Sequence, residues 1–231
     1  MRRIALIFSL LVSTLLAWDA PVRGQSGLVT MNEEPHYKRL TYIRHMRVFE
    51  ANLPPGESTL DHVYDHDAAT LVLGDATARV RRAGEDWGAP VMWALGSADL
   101  IEYAGTPVSH RTENVGTTRF RMFVVENLRD RGWSTPAPLA APGTTLRREG
   151  RSFAVYDVRL NAATPRTNHV HQNPSMVVLV SGAVQVQGGG GESEFRMEQT
   201  GRWFPSNGTD QPHTLTAVGT GEVHVVCVEA R

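Results

Sequence analysis

The sequence predicts an all-β protein made of two tandem β-barrels, and three observations carry that prediction. Short β-branched runs cut by Gly, Pro, Asn and Asp fill the chain, while few segments show the apolar spacing of a helix. Both halves close on a β-rich run, residues 120–126 and 223–229, with a proline-rich break between them. One histidine arrangement also occurs twice. His62 precedes Gly74 and a distant His110; His169 and His171 precede Gly182 and a distant His213. The far histidines stand 48 residues after His62 and 44 after His169. Near and far histidines around a turn glycine are how a small barrel brings imidazoles to one point.

The chain divides in order. Arg2 and Arg3 precede an apolar run, residues 4–17, and a small-residue exit at Val22-Arg23-Gly24. Residues 1–24 therefore read as a cleaved secretory signal. The run falls short of the roughly 20 residues of a membrane span. An uncleaved anchor is the alternative. The expectation is a secreted or periplasmic protein with no stable membrane insertion after cleavage. Residues 31–132 make the first barrel, with a hairpin of residues 70–73 and 77–80 around Gly74-Asp75-Ala76. Residues 133–147, with Pro136, Pro138, Pro142 and Gly143, make a poor strand and a good linker. Residues 148–231 make the second barrel, with a hairpin of residues 176–180 and 183–186 around Ser181-Gly182. Gly188 to Gly191 read as a surface turn, because no helix start follows them. The two halves suggest an internal duplication.

Composition sets outer bounds. The 231 residues are 41% hydrophobic and 20% charged, the balance of a packed protein. A net charge of −1 gives no electrostatic case for nucleic acid as a partner. Cys227 is the single cysteine, so no intrachain disulfide forms, and its Val-rich surroundings make it a small buried hydrophobe.

The motifs resemble those of the cupins, small barrels of jelly-roll type. In the first half, Gly56, His62 and Gly74 follow the first cupin motif, and His110 with Asn114 follow the second. Tyr64 stands at the second histidine position, and Ala68 or Ala69 where the family has glutamate. In the second half, His169 and His171 keep the His-x-His pair, and Gly201, Trp203, Pro205 and His213 resemble the second motif. Ser175 or Met176 replaces the glutamate, and Ala217 the asparagine. The resemblance covers about residues 31–231. It implies a two-domain bicupin, two jelly-roll barrels with a degenerate first cupin.

Side chains alternate along a strand, so His169 and His171 share a face with Cα atoms about 6.6 Å apart. Two such imidazoles can converge on one ion, and His213 can complete a triad. Three neutral nitrogens suit a divalent transition metal (Fe, Mn, Ni, Cu or Zn) and not Ca or Mg. A three-histidine site without carboxylate resembles those of thiol and diketone dioxygenases among the cupins. His62, His110 and Tyr64 form a weaker metal set in the first barrel, with His66 as an outer contact. Glu102, Gln172 and Glu198 are open alternatives for proton transfer, and Trp203 is barrel packing or a substrate wall. The expected function is an exported metal enzyme, a dioxygenase or isomerase, acting on a small-molecule substrate. The alternative is a non-catalytic cupin that binds a small molecule or metal; a storage or structural role ranks last. Barrels of this kind pair through edge strands, so a homodimer is a further expectation.

Overall fold

The computed structural model describes residues 27–129, 138–188, 194–208 and 212–231. The expected secretory signal, residues 133–137 of the expected linker and Gly189 to Gly191 lie outside the described residues. Among the described residues every regular element is a strand, nineteen in four sheets, and no helix is long and apolar enough to cross a membrane.

The first outer sheet runs β1 (Val29–Thr30), β4 (His62–Tyr64), β9 (Val108–Asn114), β6 (Ala76–Arg82), β7 (Val91–Trp93). The first inner sheet runs β2 (Tyr37–Ile43), β3 (Met46–Leu53), β10 (Phe120–Asn127), β5 (Asp67–Val72), β8 (Ala98–Ile101). The second inner sheet runs β11 (Thr144–Glu149), β12 (Phe153–Leu160), β19 (Val223–Ala230), β14 (Ser175–Ser181), β17 (Trp203–Ser206). The second outer sheet runs β13 (Arg166–His169), β18 (His213–Ala217), β15 (Val184–Gln187), β16 (Glu194–Met197). Apart from β1, the strand order of the first two sheets repeats strand for strand in the second two. The fold is a pair of jelly-roll barrels. β1 begins before residue 31, and β11 enters its sheet at Thr144, inside the segment expected as linker.

The pleat divides each inner strand between two cores. Along β12, Phe153 and Val155 enter a cluster shared by the two inner sheets, while Ala154, Tyr156 and Val158 fill the second barrel. β14 and β19 alternate in the same way, with Val178 and Val226 in the shared cluster and Val177 and Val225 inside. β3 and β10 mirror them, Val48 and Val125 outward and Phe49 and Val124 inward. A strand buried on both faces has no use for polar alternation, which is why these segments read as unbroken apolar runs. Fully burying each such Val contributes about 1.5–3 kcal/mol.

Both expected hairpins are corrected. β5 and β6 lie in different sheets, as do β14 and β15, and neither pair exchanges a ladder bond. The glycines do reverse the chain, but across the barrel from one sheet to the other. Gly182 has φ of 82°, and a Cβ there would lie 2.8 Å from the Glu222 carbonyl oxygen. A sequence signals the reversal, whereas pairing depends on long-range partners that the turn does not specify.

Candidate metal centre

Cross-strand register builds the second-barrel cluster. β13 pairs antiparallel with β18 so that His169 stands directly opposite His213. His171 follows two residues after His169, beyond the end of the strand. Ring centroids are 4.3 Å apart for His169 and His213, 5.1 Å for His169 and His171, and 5.3 Å for His171 and His213. All three are buried, and one ligand nitrogen from each lies within 4.8 Å of the others. Two nitrogens on one ion stand no more than about 4.2 Å apart, twice a bond of about 2.1 Å, so small ring rotations close the set. Neither ring nitrogen of His169 has a hydrogen-bond partner in the protein. Burial, then the neighbouring His213 and His171, hold its conjugate acid down to about pKa 2. The ring is therefore neutral near pH 7, the form that binds a metal.

A carboxylate orients this cluster. His171 Nδ1 lies 2.8 Å from Oε2 of Glu229, itself buried on β19. With the proton on Nδ1, Nε2 is left as a lone-pair donor, and it has no other partner. Glu229 belongs to the inward set of β19 with Val225 and Cys227. Sequence reasoning missed it. The available signal was one acid in the run Val225-Val226-Cys227-Val228-Glu229, which only a partner makes tolerable when buried.

The first barrel repeats the register. His62 on β4 faces His110 on β9, with ring centroids 4.4 Å apart. Tyr64 stacks on His110 at 4.8 Å, but its hydroxyl bonds that of Tyr37 at 3.2 Å. His62 Nδ1 donates to the Leu60 carbonyl at 3.0 Å, leaving Nε2 buried without a partner. Burial, then His62 and Arg82, hold the His110 conjugate acid down to about pKa 3. Among the described residues, no third histidine or carboxylate joins this pair in a metal-sized group. His66 instead bonds Asp65 through Nδ1 at 2.6 Å and lies in a separate metal-sized group with Asp65 and Glu126. At the repeat position of Glu229 stands Glu126, buried and bonded to Arg47.

No family model matches the sequence, and no curated protein matches it either. Solved structures do match in shape. A cupin 2 conserved barrel domain protein from Leptotrichia buccalis is similar at TM-score 0.55 and 8% identity, over 84% of this chain and 88% of that one. An oxalate decarboxylase from Lactobacillus farciminis, in a formate complex, is similar at 0.56 and 11%, over 81% and 77%. A salicylate 1,2-dioxygenase from Pseudoaminobacter salicylatoxidans, with gentisate, is similar at 0.57 and 14%, over 80% and 68%. The fold is that of the two-barrel cupins.

The remaining candidates take ordinary places in this cupin fold. Trp203 packs against the cluster between the inner sheets, so it faces the other barrel and not a substrate. Glu102 accepts from the Arg151 backbone N–H at 2.9 Å, between the barrels and away from both histidine groups. Glu198 is exposed and pairs with Arg196 at 3.0 Å. Gln172, with Glu229 and His169, lines a cavity of about 200 Å³ walled by Pro138, Leu139 and Ala140. His224, outside any ligand spacing, bonds Asp157 at 2.7 Å.

Proposed function

We propose that this cupin binds one divalent transition metal through His169, His171 and His213 and acts on a small molecule after export. The reaction is oxygen-dependent cleavage, or isomerisation through an enediol. One observation carries the reading: three buried imidazoles converge, and His169 has no protein partner on either nitrogen. Burying such a ring without a partner costs about 1–3 kcal/mol, which a bound cation would offset. All-nitrogen ligation fits Fe, Mn, Ni, Cu or Zn.

When bound, such a metal polarises a carbonyl or enolate oxygen as a Lewis acid. The chain's own groups do the rest. Glu229 holds the proton of His171 on Nδ1 and keeps Nε2 directed at the cluster. The cavity of about 200 Å³ walled by Pro138, Leu139 and Ala140 suits a small ligand. Gln172 offers both donor and acceptor at that cavity. Glu229 is the only carboxylate lining that cavity among the described residues, and its oxygen is the one that orients His171.

A second reading, a binding cupin without turnover, is favoured by one observation: an oxygen of Glu229 is already committed to His171. Elemental analysis of the chain purified from Gln25 onward tests both. The enzyme reading expects about one equivalent of metal, its loss in His169→Ala and His213→Ala, and oxygen uptake or isomerisation across thiol, diketone and sugar panels. Metal without turnover supports the binding reading. No metal under any loading, with unchanged behaviour in His169→Ala and His213→Ala, overturns the enzyme reading and leaves a metal-free binder or scaffold. Export is supported by the composition of residues 1–24, and an unprocessed N-terminus in the culture fractions would refute it.

A further inference from the structure

We infer that the first barrel carries a further metal site, built from Asp65, His66 and Glu126, for a borderline divalent cation of the zinc type. The site shares no residue with the three-histidine cluster and does not need the function proposed for it.

Strand register assembles the three side chains. Asp65 and His66 form the link between β4 and β5. β5 pairs antiparallel with β10 so that Asp67 stands opposite Asn127 and Ala68 opposite Glu126. The link therefore meets the end of β10. One ligand atom from each of Asp65, His66 and Glu126 lies within 4.8 Å of the others. Ligand atoms on one ion stand no more than about 4.2 Å apart, so small rotations close the set. Asp65 and His66 are free to make them, with side chains 48% and 31% exposed, while Glu126 is fully buried and fixes the site.

A buried oxygen without a partner points to the ligand. Arg47 donates to Oε2 of Glu126, but Oε1 is buried and has no hydrogen-bond partner among the described residues. At the repeat position in the second barrel, Glu229 gives an oxygen to His171; the counterpart of His171 here is Tyr64, whose hydroxyl bonds Tyr37 instead. Leaving a carboxylate oxygen buried and unpaired is costly, and a cation removes that cost. Two carboxylates against one guanidinium also leave the group net negative around a neutral His66. One imidazole nitrogen with two carboxylate oxygens suits zinc, with water in the fourth position on the open side, better than calcium or magnesium. Asp67, next in the chain, accepts from Arg151 and Ser152 of the second half, so an ion here braces the joint between the barrels.

Because one side is open, the ion exchanges with solvent and the site is read by titration. Zinc is added to the metal-depleted chain from Gln25 onward, in competition with a chromophoric chelator. In the His169→Ala/His213→Ala background about one equivalent should still bind, and zinc should raise Tm. Adding His66→Ala or Asp65→Ala, both on the half-exposed link, should weaken that binding about tenfold or more and remove the rise in Tm. Glu126→Gln should weaken it too, and the link variants keep the test decisive where that buried variant fails to fold. His66→Ala alone should lower the zinc taken up by about one equivalent, a comparison that needs no change in the second barrel. Unaltered affinity and stoichiometry in His66→Ala and Asp65→Ala would overturn the site, as would a folded His169→Ala/His213→Ala chain that takes up no zinc, or displacement of the zinc by an equal amount of calcium. A chain whose only zinc is lost with His66 supports this site and sinks the three-histidine reading.

Discussion

Asp67→Asn should weaken the joint between the barrels in a pH-dependent way. Asp67 lies on the outward face of β5, and four hydrogen bonds reach its carboxylate. Arg151 donates to Oδ2 at 2.6 Å and to Oδ1 at 2.7 Å, Ala104 N–H to Oδ1 at 2.8 Å, and Ser152 Oγ–H to Oδ2. Arg151 and Ser152 belong to the second half of the chain, so this cluster ties one barrel to the other. Burial raises the carboxyl pKa, but Arg151, then Ser152 and Ala104, outweigh it and hold it down to about 2 from 3.8. A depressed folded pKa stabilises above the unfolded value and loses that contribution as pH falls. The difference is about 2 kcal/mol at pH 7, falling to about half that at pH 3. For a chain of this size that is a shift of about 4–8 °C in Tm. Asparagine also turns an amide N–H toward Arg151 or Ser152, but that cost does not change with pH. Thermal unfolding of both proteins from pH 7 to pH 3 therefore isolates the charge. A gap in Tm that stays constant over that range would refute the reasoning.

Two further outcomes follow from single positions. Glu229→Gln should lower metal affinity by about 10–100-fold, because the partner that sets the His171 tautomer loses its charge; competition against a chelator measures it, and unchanged affinity removes Glu229 from an orienting role. Gly182→Ala should cost about 1–3 kcal/mol, since its φ is 82° and the new Cβ would meet the Glu222 carbonyl at 2.8 Å. Gly219→Ala, with φ of 85° and open space around it, should cost less in the same urea titration.

Much of the architecture was legible because it is local. The Val-rich runs of β14 and β19 announced strands, and the repeated histidine spacing announced that β4 would meet β9 as β13 meets β18. The cupin motifs added the jelly roll. Two things were hidden. Gly74 and Gly182 marked reversals but not which sheet the next strand joins, because ladder partners come from far along the chain. Glu229 has no motif spacing, and it became visible only when β19 placed it against His171.

The doubly covered strands leave a lasting mark on what the chain can do with copies of itself. Their outer faces, which an isolated half would have to shield by finding a twin, are already occupied from within the same polypeptide. Any self-association therefore falls to the remaining flanks, such as the rim at β7, where Val91 and Met92 stand in the open. Cutting the gene between its halves would produce two fragments each with an oily flank, and they would sooner recombine than remain apart.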